Sequence, residues 1–340
     1  MRREIVVNGR FLARRVTGVE RHGREILGYI GSSPALSASE GCRVETTRKQ
    51  GWMGHAWEQF ILPARLDRQS ILWSPANTGP LPIRDQALTI HDLSPLDHPE
   101  WFQTSFALWY RLFLPMLARR VRTVFTPSEY VKQKVIRRFG IRNVIVTPNG
   151  VDRSIFCPDA TQTKFDLPAS YVLFVGTLEP RKNLNLLLRA WSEIKDEFKE
   201  TWLIIVGVNG NVFRNVKYQH QMERVRFLGY VDDETLAGLY ANATLFVLPS
   251  QDEGFGLPAL EAMASGTPVI VSDGGALPEV VGEAGMIFCL SNPVGLTNAL
   301  KECLGNARLR SALKEKGLSR AGKFSWQTTA ELVWKNLNET

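Results

Sequence analysis

With 340 residues, 44% of them hydrophobic and 22% charged, the chain is long enough for two domains with cores of their own, and its composition excludes a disordered or collagen-like protein. The formal net charge of +7 is unevenly spread: residues 1–150 hold 22 Lys and Arg against 12 Asp and Glu, and residues 151–340 hold 19 against 22, so the halves carry +10 and −3. The basic half suits nucleic acid, an acidic lipid surface or a phosphorylated substrate, or else is a solvated face with no partner.

In chain order, short apolar runs alternate with longer amphipathic segments, the signature of βαβ units and parallel sheets. Strands are predicted at Ile5 to Val7, Ile71 to Trp73, Ala87 to Ile90, Thr123 to Phe125 and Val144 to Val146. Between them, Val19, Gly23, Ile26, Leu27 and Ile30 form a helical stripe, Thr104 to Val121 is a helix bent at Pro115, and Ser128 caps a helix carrying Val131, Val135 and Ile136. Asn149 to Ser170, with Gly150, Pro158 and Pro168 and no periodicity, reads as a linker. A second series follows: Tyr171 to Val175, Leu203 to Val206, Val225 to Leu228, Thr244 to Leu248, Pro268 to Val271 and Met286 to Phe288. The pattern predicts one domain over residues 1–155 and another over 165–322. A last helix over 325–340, with Ala330, Leu332, Val333 and Leu337, is expected to return to the first.

No apolar run approaches the roughly 20 residues that span a bilayer, and the opening MRREIVVNGR lacks the apolar region of a signal peptide, so a cytoplasmic location is expected. Cys42, Cys157, Cys289 and Cys303 have no CxxC spacing, and His22, His55, His91, His98 and His220 no metal-ligand spacing. Reduced thiols and no metal are expected.

Ligands of open parallel sheets bind where strands end and helices begin. After the strand VLFVG, Arg181 and Lys182 stand in a turn just before a helix, two cations at a positive helix end that suit a diphosphate and equally fit a solvated basic turn. After TLFVLPS comes QDEGFGLPALEAMASG. Here Gly254 and Gly256 allow close backbone approach, Glu253 lies in the loop and Glu261 about one helical turn in. The two carboxylates suit vicinal hydroxyls of a sugar or ribose, and the loop amides phosphate oxygens; a loop charge and a first-turn helix residue is the plainer alternative.

EGFGLPALEAMASGTPVI, preceded by GTLEPRKN, resembles the retaining nucleotide-sugar glycosyltransferases of family 4, which have the GT-B fold: two Rossmann-like α/β domains facing each other across a cleft. The likeness extends through VNGRFLARRVTGVERHGREIL, TIHDLSPLDHPEWF, TPSEYVKQKV, VTPNGVD and FSWQTTAELVW, and is strongest to bacterial polysaccharide and O-antigen mannosyl- and glucosyltransferases. The resemblance implies that residues 1–155 form the acceptor domain and 165–322 the nucleotide-sugar donor domain, that Glu253 binds donor-sugar hydroxyls, Glu261 the ribose, and Arg181 with Lys182 the diphosphate, and that Gly18 and Thr177 also border the donor. Gly254, Phe255, Gly256 and Leu257 would line the site, and Tyr230 and Val231 contact the base. Two positions depart from the family: Thr177 replaces an arginine common after the strand glycine, and Thr17 precedes a single glycine, Gly18, where two are common. His91 and Asp92 close the strand ALTI, and His91 is expected in the active site with Glu253, Arg181 and Lys182. Asn149 and Gly150 would shape a hinge.

The implied reaction moves glucose or mannose from a nucleoside diphosphate sugar, UDP-glucose or GDP-mannose, to a glycan or lipid-linked hydroxyl with retention and no metal or other cofactor. Peripheral attachment to anionic membrane through the basic half is expected, and nucleic acid is not, because Arg119, Arg120, Arg122, Arg137 and Arg138 are not interleaved with aromatics as in a known binding module. A non-catalytic nucleotide-sugar or glycan-binding protein of the same fold is the rival reading.

Overall fold

The computed structural model describes residues 3–14, 16–32, 42–67, 69–160, 162–209, 213 and 222–339; His220 lies outside them. The chain divides into two compact units, one of Met1–Asp97, Ser105–Gly150 and Ser325–Thr340, the other of His98–Thr104 and Val151–Phe324.

In the first unit, strands β1 (Ile5–Asn8), β2 (Cys42–Glu45), β3 (Ile71–Ser74), β4 (Gln86–Thr89), β5 (Thr123–Thr126) and β6 (Val144–Val146) form a sheet in the order β2-β1-β3-β4-β5-β6. Its pairings are parallel, with Ile5 opposite both Cys42 and Ile71. β1, β3, β4 and β5 are buried on both faces, which is why they read as continuous runs. β2, CRVE, is an edge strand that alternates exposed and half-buried positions. It escapes sequence reading because so short and polar a segment carries no strand pattern.

The helices of this unit are α1 (Gly18–Ser32), α2 (Gly51–Ala56, continued by a π-helical turn Trp57–Ile61 and by Leu62–Ala64), α3 (Ser94–Asp97), α4 (Thr104–Arg120) and α5 (Glu129–Phe139). The helix α4 stays continuous through Pro115. The Ser128 side chain accepts from the Val131 N–H at 3.2 Å and so starts α5. Phe113, Leu114 and Leu117 of α4 and Val131, Val135 and Phe139 of α5 repeat at helical spacing and close on Leu88, Ile90 and Val124 of the sheet.

In the second unit, β7 (Ser170–Val175), β8 (Thr201–Val206), β9 (Val225–Gly229), β10 (Leu245–Leu248), β11 (Val269–Ser272) and β12 (Met286–Phe288) lie in the order β12-β11-β10-β7-β8-β9, again parallel. α6 (Leu184–Ile194), α7 (Asp233–Ala241), α8 (Leu257–Ala264), α9 (Leu277–Val281), α10 (Gly295–Gly305) and α11 (Ala307–Ala321) accompany it. Leu187 and Trp191 of α6 and Leu300 of α10 pack on Val172, Phe174, Ile205 and Val247. Truncating the fully buried Trp191 to alanine would cost on the order of 3–5 kcal/mol.

The last helix, α12 (Trp326–Glu339), buries Trp326, Ala330, Val333 and Leu337 and packs on α1, within the first unit. The boundaries differ from the sequence reading in two places. The chain leaves the first unit after Gly150, and the stretch read as a linker packs on the second: Phe156 is buried with its ring 6.0 Å from that of Tyr240. His98–Thr104 also belongs to the second unit, where the Phe102 ring lies 4.8 Å from Phe213. A few aromatic anchors thus give apolar contact to stretches whose spacing shows no period.

Each sheet has one point where strand order reverses, between β1 and β3 in the first and between β7 and β10 in the second. Turns leaving the carboxyl ends of these pairs splay to opposite faces and open a crevice, the usual ligand position in such sheets.

Candidate functional site

At the reversal point of the second sheet, the turn after β7 (Gly176 to Asn183) meets the loop after β10 (Pro249 to Gly256). Pro180–Lys182 form a single 3-10 turn, which places Arg181 and Lys182 side by side before α6. Lys182 Nζ donates to Glu253 Oε1 at 2.5 Å, and Arg181 Nη1 donates to Glu253 Oε2 at 3.0 Å and to the Asp252 carbonyl at 3.2 Å. The Ser250 hydroxyl donates to Glu253 Oε1 at 2.7 Å. On its other edge Arg181 meets Glu179, Nε at 2.9 Å and Nη2 at 2.8 Å from Oε1. Lys182, Glu179 and Glu253 are buried, so the four charges form a balanced cluster in a low-dielectric setting.

Burial alone would raise the Glu253 carboxyl, but Lys182 and Arg181, with the Lys182 and Ser250 hydrogen bonds, outweigh it and hold the group at about 2. Glu179 goes the other way: burial pushes it up, and its two cations only partly offset that. Glu253 is therefore a fixed anion at neutral pH and too weak a base to take a proton from a sugar hydroxyl.

Gly256, at φ +99°, turns the chain into α8, and a Cβ there would meet Leu277 Cδ2 at 2.5 Å. Phe255 and Leu257 flank it and are buried, and Pro258 follows inside the first turn. Glu261 is buried on α8, with Oε2 accepting from Tyr240 Oη at 3.1 Å. Thr177 is half-buried, two residues after β7. Thr177, Gly254, Phe255 and Gly256 share the two loops of the reversal point, and Leu257 and Glu261 lie on the helix that follows. Tyr230 and Val231 are not among them: they follow β9, the outer edge strand, and Tyr230 is 58% exposed.

In the first unit, His91 is buried after β4. Its Nε2 lies 2.7 Å from the Pro75 carbonyl, which can only accept, so Nε2 carries the proton and Nδ1 is an acceptor. Its backbone N–H donates to Asn77 Oδ1 at 2.7 Å. Burial lowers the pKa of His91 and keeps it neutral. Glu20, in the first turn of α1, reaches back to Thr17: its Oε2 accepts from the Thr17 N–H at 3.3 Å and from the Thr17 hydroxyl. That bond anchors the start of the helix at Gly18.

Sequence reasoning missed three contributors. Glu179, two residues before Arg181, orients the guanidinium; the carboxylate inside LEPRKN is the available signal. Gly275, at φ +70°, lets the turn after β11 touch the Glu253 backbone, where a Cβ would lie 2.3 Å from N and O, and the Ala276 N–H donates to the Glu253 carbonyl at 2.8 Å. The strand-then-Gly-Gly pattern of VSDGGA signals that turn. His22 is fully buried on α1 in line with Ile26 and Ile30; its Nδ1 lies 2.8 Å from Asn149 Oδ1 and its ring 4.8 Å from His91. Asn149, read as a hinge residue, thus ties β6 to α1.

Among the described residues, no three His, Cys, Asp or Glu side chains gather as a metal-ligand set, and no helix is long and apolar enough to cross a membrane.

Residues 159–320 match the family described as Glycosyl transferases group 1, and residues 82–155 that described as Glycosyltransferase Family 4. The chain is 31% identical over 326 residues to O-antigen chain mannosyltransferase B of Escherichia coli, covering 90% of this chain and 80% of that one. Serotype-specific mannosyltransferase WbdA of Escherichia coli is 28% identical over 261 residues, 72% of this chain but 32% of that longer protein. The solved structure of HepE of Anabaena in complex with UDP and glucose shares the fold, with a TM-score of 0.72 at 16% identity over 100% of each chain. Two Rossmann-like units, a charged cluster at the reversal point of the second, and these matches along nearly the whole sequence lead to one conclusion: the chain belongs to the family 4 glycosyltransferases and has their GT-B fold.

Proposed function

We propose that this glycosyltransferase moves mannose from a nucleoside diphosphate mannose to a hydroxyl of a glycan or lipid-linked acceptor in surface polysaccharide synthesis, retaining the anomeric configuration without a divalent metal. The observation that carries the reading is the Arg181–Lys182–Glu253 cluster at the reversal point. Glu179 and Glu253 hold the two cations in position before any ligand arrives, so little reorganisation is needed when charge develops on a leaving group. The donor diphosphate takes over Arg181 and Lys182, and the Glu253 carboxylate then accepts from the sugar hydroxyls. Glu261, held by the Tyr240 hydroxyl, faces the ribose. Because Glu253 is too weak a base, the acceptor proton goes to the departing diphosphate, on the face of the sugar where the new bond forms. Likeness to an O-antigen chain mannosyltransferase favours mannose over glucose.

The lipid-linked acceptor is met at an anionic membrane. On α4, Leu108, Leu112 and Met116 are exposed one turn apart, beside the exposed Arg111, Arg119 and Arg120, an apolar stripe with cations along it. Sedimentation with liposomes tests this: pelleting with anionic vesicles and not with neutral ones supports it, and no pelleting with either rejects it. The reaction itself is tested by incubation with GDP-mannose or UDP-glucose and mannoside acceptors in EDTA, with the product linkage read by NMR. An α-mannoside from GDP-mannose supports the proposal; a β-linkage or strict magnesium dependence rejects its mechanism.

A further inference from the structure

The first sheet has a built site of its own. Its reversal point lies between β1 and β3, and the turns leaving those strands bring Arg10 and Thr78 together, with Arg10 Nη1 donating to Thr78 Oγ1 at 3.2 Å. Arg10 Nη1 also donates to Glu58 Oε2 at 2.9 Å, and Glu58 Oε1 accepts from Asn8 Nδ2 at 2.7 Å and Thr78 Oγ1 at 3.0 Å. Arg10 and Glu58 are buried, and an ion pair so enclosed adds little net stability; what it fixes is position. Glu58 stands in the π-helical turn of α2, a rare conformation that recurs at functional sites.

Three aromatic rings adjoin this pair through His55. His55 Nδ1 is 3.1 Å from Arg10 Nη1, and since arginine can only donate, Nδ1 accepts and Nε2 carries the proton. The Trp109 ring lies 5.3 Å from both His55 and Trp52, nearly perpendicular to Trp52, and stacks on Phe113 at 4.7 Å. Trp52 is 62% exposed, although it has these aromatic neighbours. Among the described residues, neither Arg10 Nε nor Trp109 Nε1 has a hydrogen-bond partner. An unmet buried N–H costs about 1–3 kcal/mol, part of which a ligand hydroxyl reaching it recovers.

We infer that Trp52, His55 and Trp109, joined through His55 to the buried Arg10–Glu58 pair, form the subsite for the neutral hexose ring of the acceptor. The inference deepens the glycosyl-transfer reading and rests on it for the word acceptor. A pyranose has an apolar C–H face that lies against the electron-rich face of an indole, and a rim of hydroxyls for the N–H groups beside it. Charge decides against an anionic ligand: Arg10 is matched by Glu58, and Arg14, 3.6 Å from Glu20, is matched as well. Burial also lowers the pKa of His55, which keeps the third ring neutral.

Intrinsic fluorescence is titrated with methyl glycosides of mannose, glucose, galactose and N-acetylglucosamine, for the wild type, Trp52→Ala and Trp52→Phe. Nucleotide affinity is measured separately by calorimetry. The inference expects a saturable change with at least one glycoside, lost in Trp52→Ala, partly kept as binding in Trp52→Phe, and an acceptor KM raised about tenfold or more in Trp52→Ala. Nucleotide affinity should stay within about twofold of wild type. No glycoside response in the wild type, or equal affinity in Trp52→Ala, overturns it, as does loss of liposome binding in Trp52→Ala at normal acceptor KM, which would make Trp52 a lipid contact. Glycoside binding through Trp52 in a protein that binds no nucleotide would leave this subsite standing and remove the transfer reading instead.

Discussion

Lys182 Nζ sits 2.5 Å from Glu253 Oε1, and both side chains are buried. The contact joins the turn after β7 to the loop after β10 across the reversal point of the second sheet. A buried pair like this is most strongly felt when one partner is removed, because the other charge is left uncompensated.

Lys182→Met should therefore destabilise the protein by about 3–5 kcal/mol, and Glu253→Gln by a similar amount. The double variant should be less destabilised than the two single effects together, with a coupling of about 1–3 kcal/mol. Chemical denaturation of the four proteins checks this; strictly additive effects would mean that the pair does not interact in solution.

Acid should loosen the first unit through His22. Its neighbours are the His91 ring and the Asn149 amide; burial and His91 push its pKa down from 6.5 to about 3. Between those values the unfolded chain binds a proton that the folded one refuses, so stability falls as pH drops below about 6.5 and is complete above it. The slope approaches 1.4 kcal/mol per pH unit for this one group. Denaturation midpoints at neutral and mildly acidic pH should differ less in His22→Gln than in the wild type; an unchanged slope would show that His22 is not held neutral.

Gly275→Ala should lower transfer while leaving β11 intact and nucleoside diphosphate binding no weaker than in the wild type. At φ +70° any Cβ is strained, and this one would press on the Glu253 backbone at 2.3 Å, so the carboxylate moves away from Lys182 and Arg181. Kinetics with calorimetry are the check, and wild-type behaviour would show that the turn after β11 does not set the position of Glu253.

The two parallel sheets were legible because buried parallel strands such as LFVL and VIVS are continuous apolar runs, whereas the polar edge strand CRVE was not. Arg181, Lys182, Glu253 and Glu261 could be found because motif, strand end and helix start coincide. Their mutual pairing could not, because sequence shows which charges follow a strand but not which of them neutralise each other. The same limit hid Glu179 and the contact of Gly275 with Glu253, and it hid Arg10 and Glu58, separated by 48 positions and joined only by the fold.

Shielding of cations by carboxylates also bears on specificity. A ligand must displace Glu253 from Arg181 and Lys182, so a lone monophosphate should compete poorly, while a diphosphate that can engage both cations competes well. Nucleoside monophosphates should bind at least about tenfold more weakly than the matching diphosphates. Equal affinity would place the recognised charge elsewhere.

The proposed transfer requires that the second unit bind a nucleoside diphosphate sugar through Arg181 and Lys182. Calorimetric titration of the wild type and Arg181→Ala with GDP, GDP-mannose, UDP and UDP-glucose, all in EDTA, tests it most directly. Saturable binding of one nucleotide family by the wild type is expected, weakened about tenfold or more in Arg181→Ala at unchanged fold. Binding of none of the four, or equal binding by the variant, would contradict it.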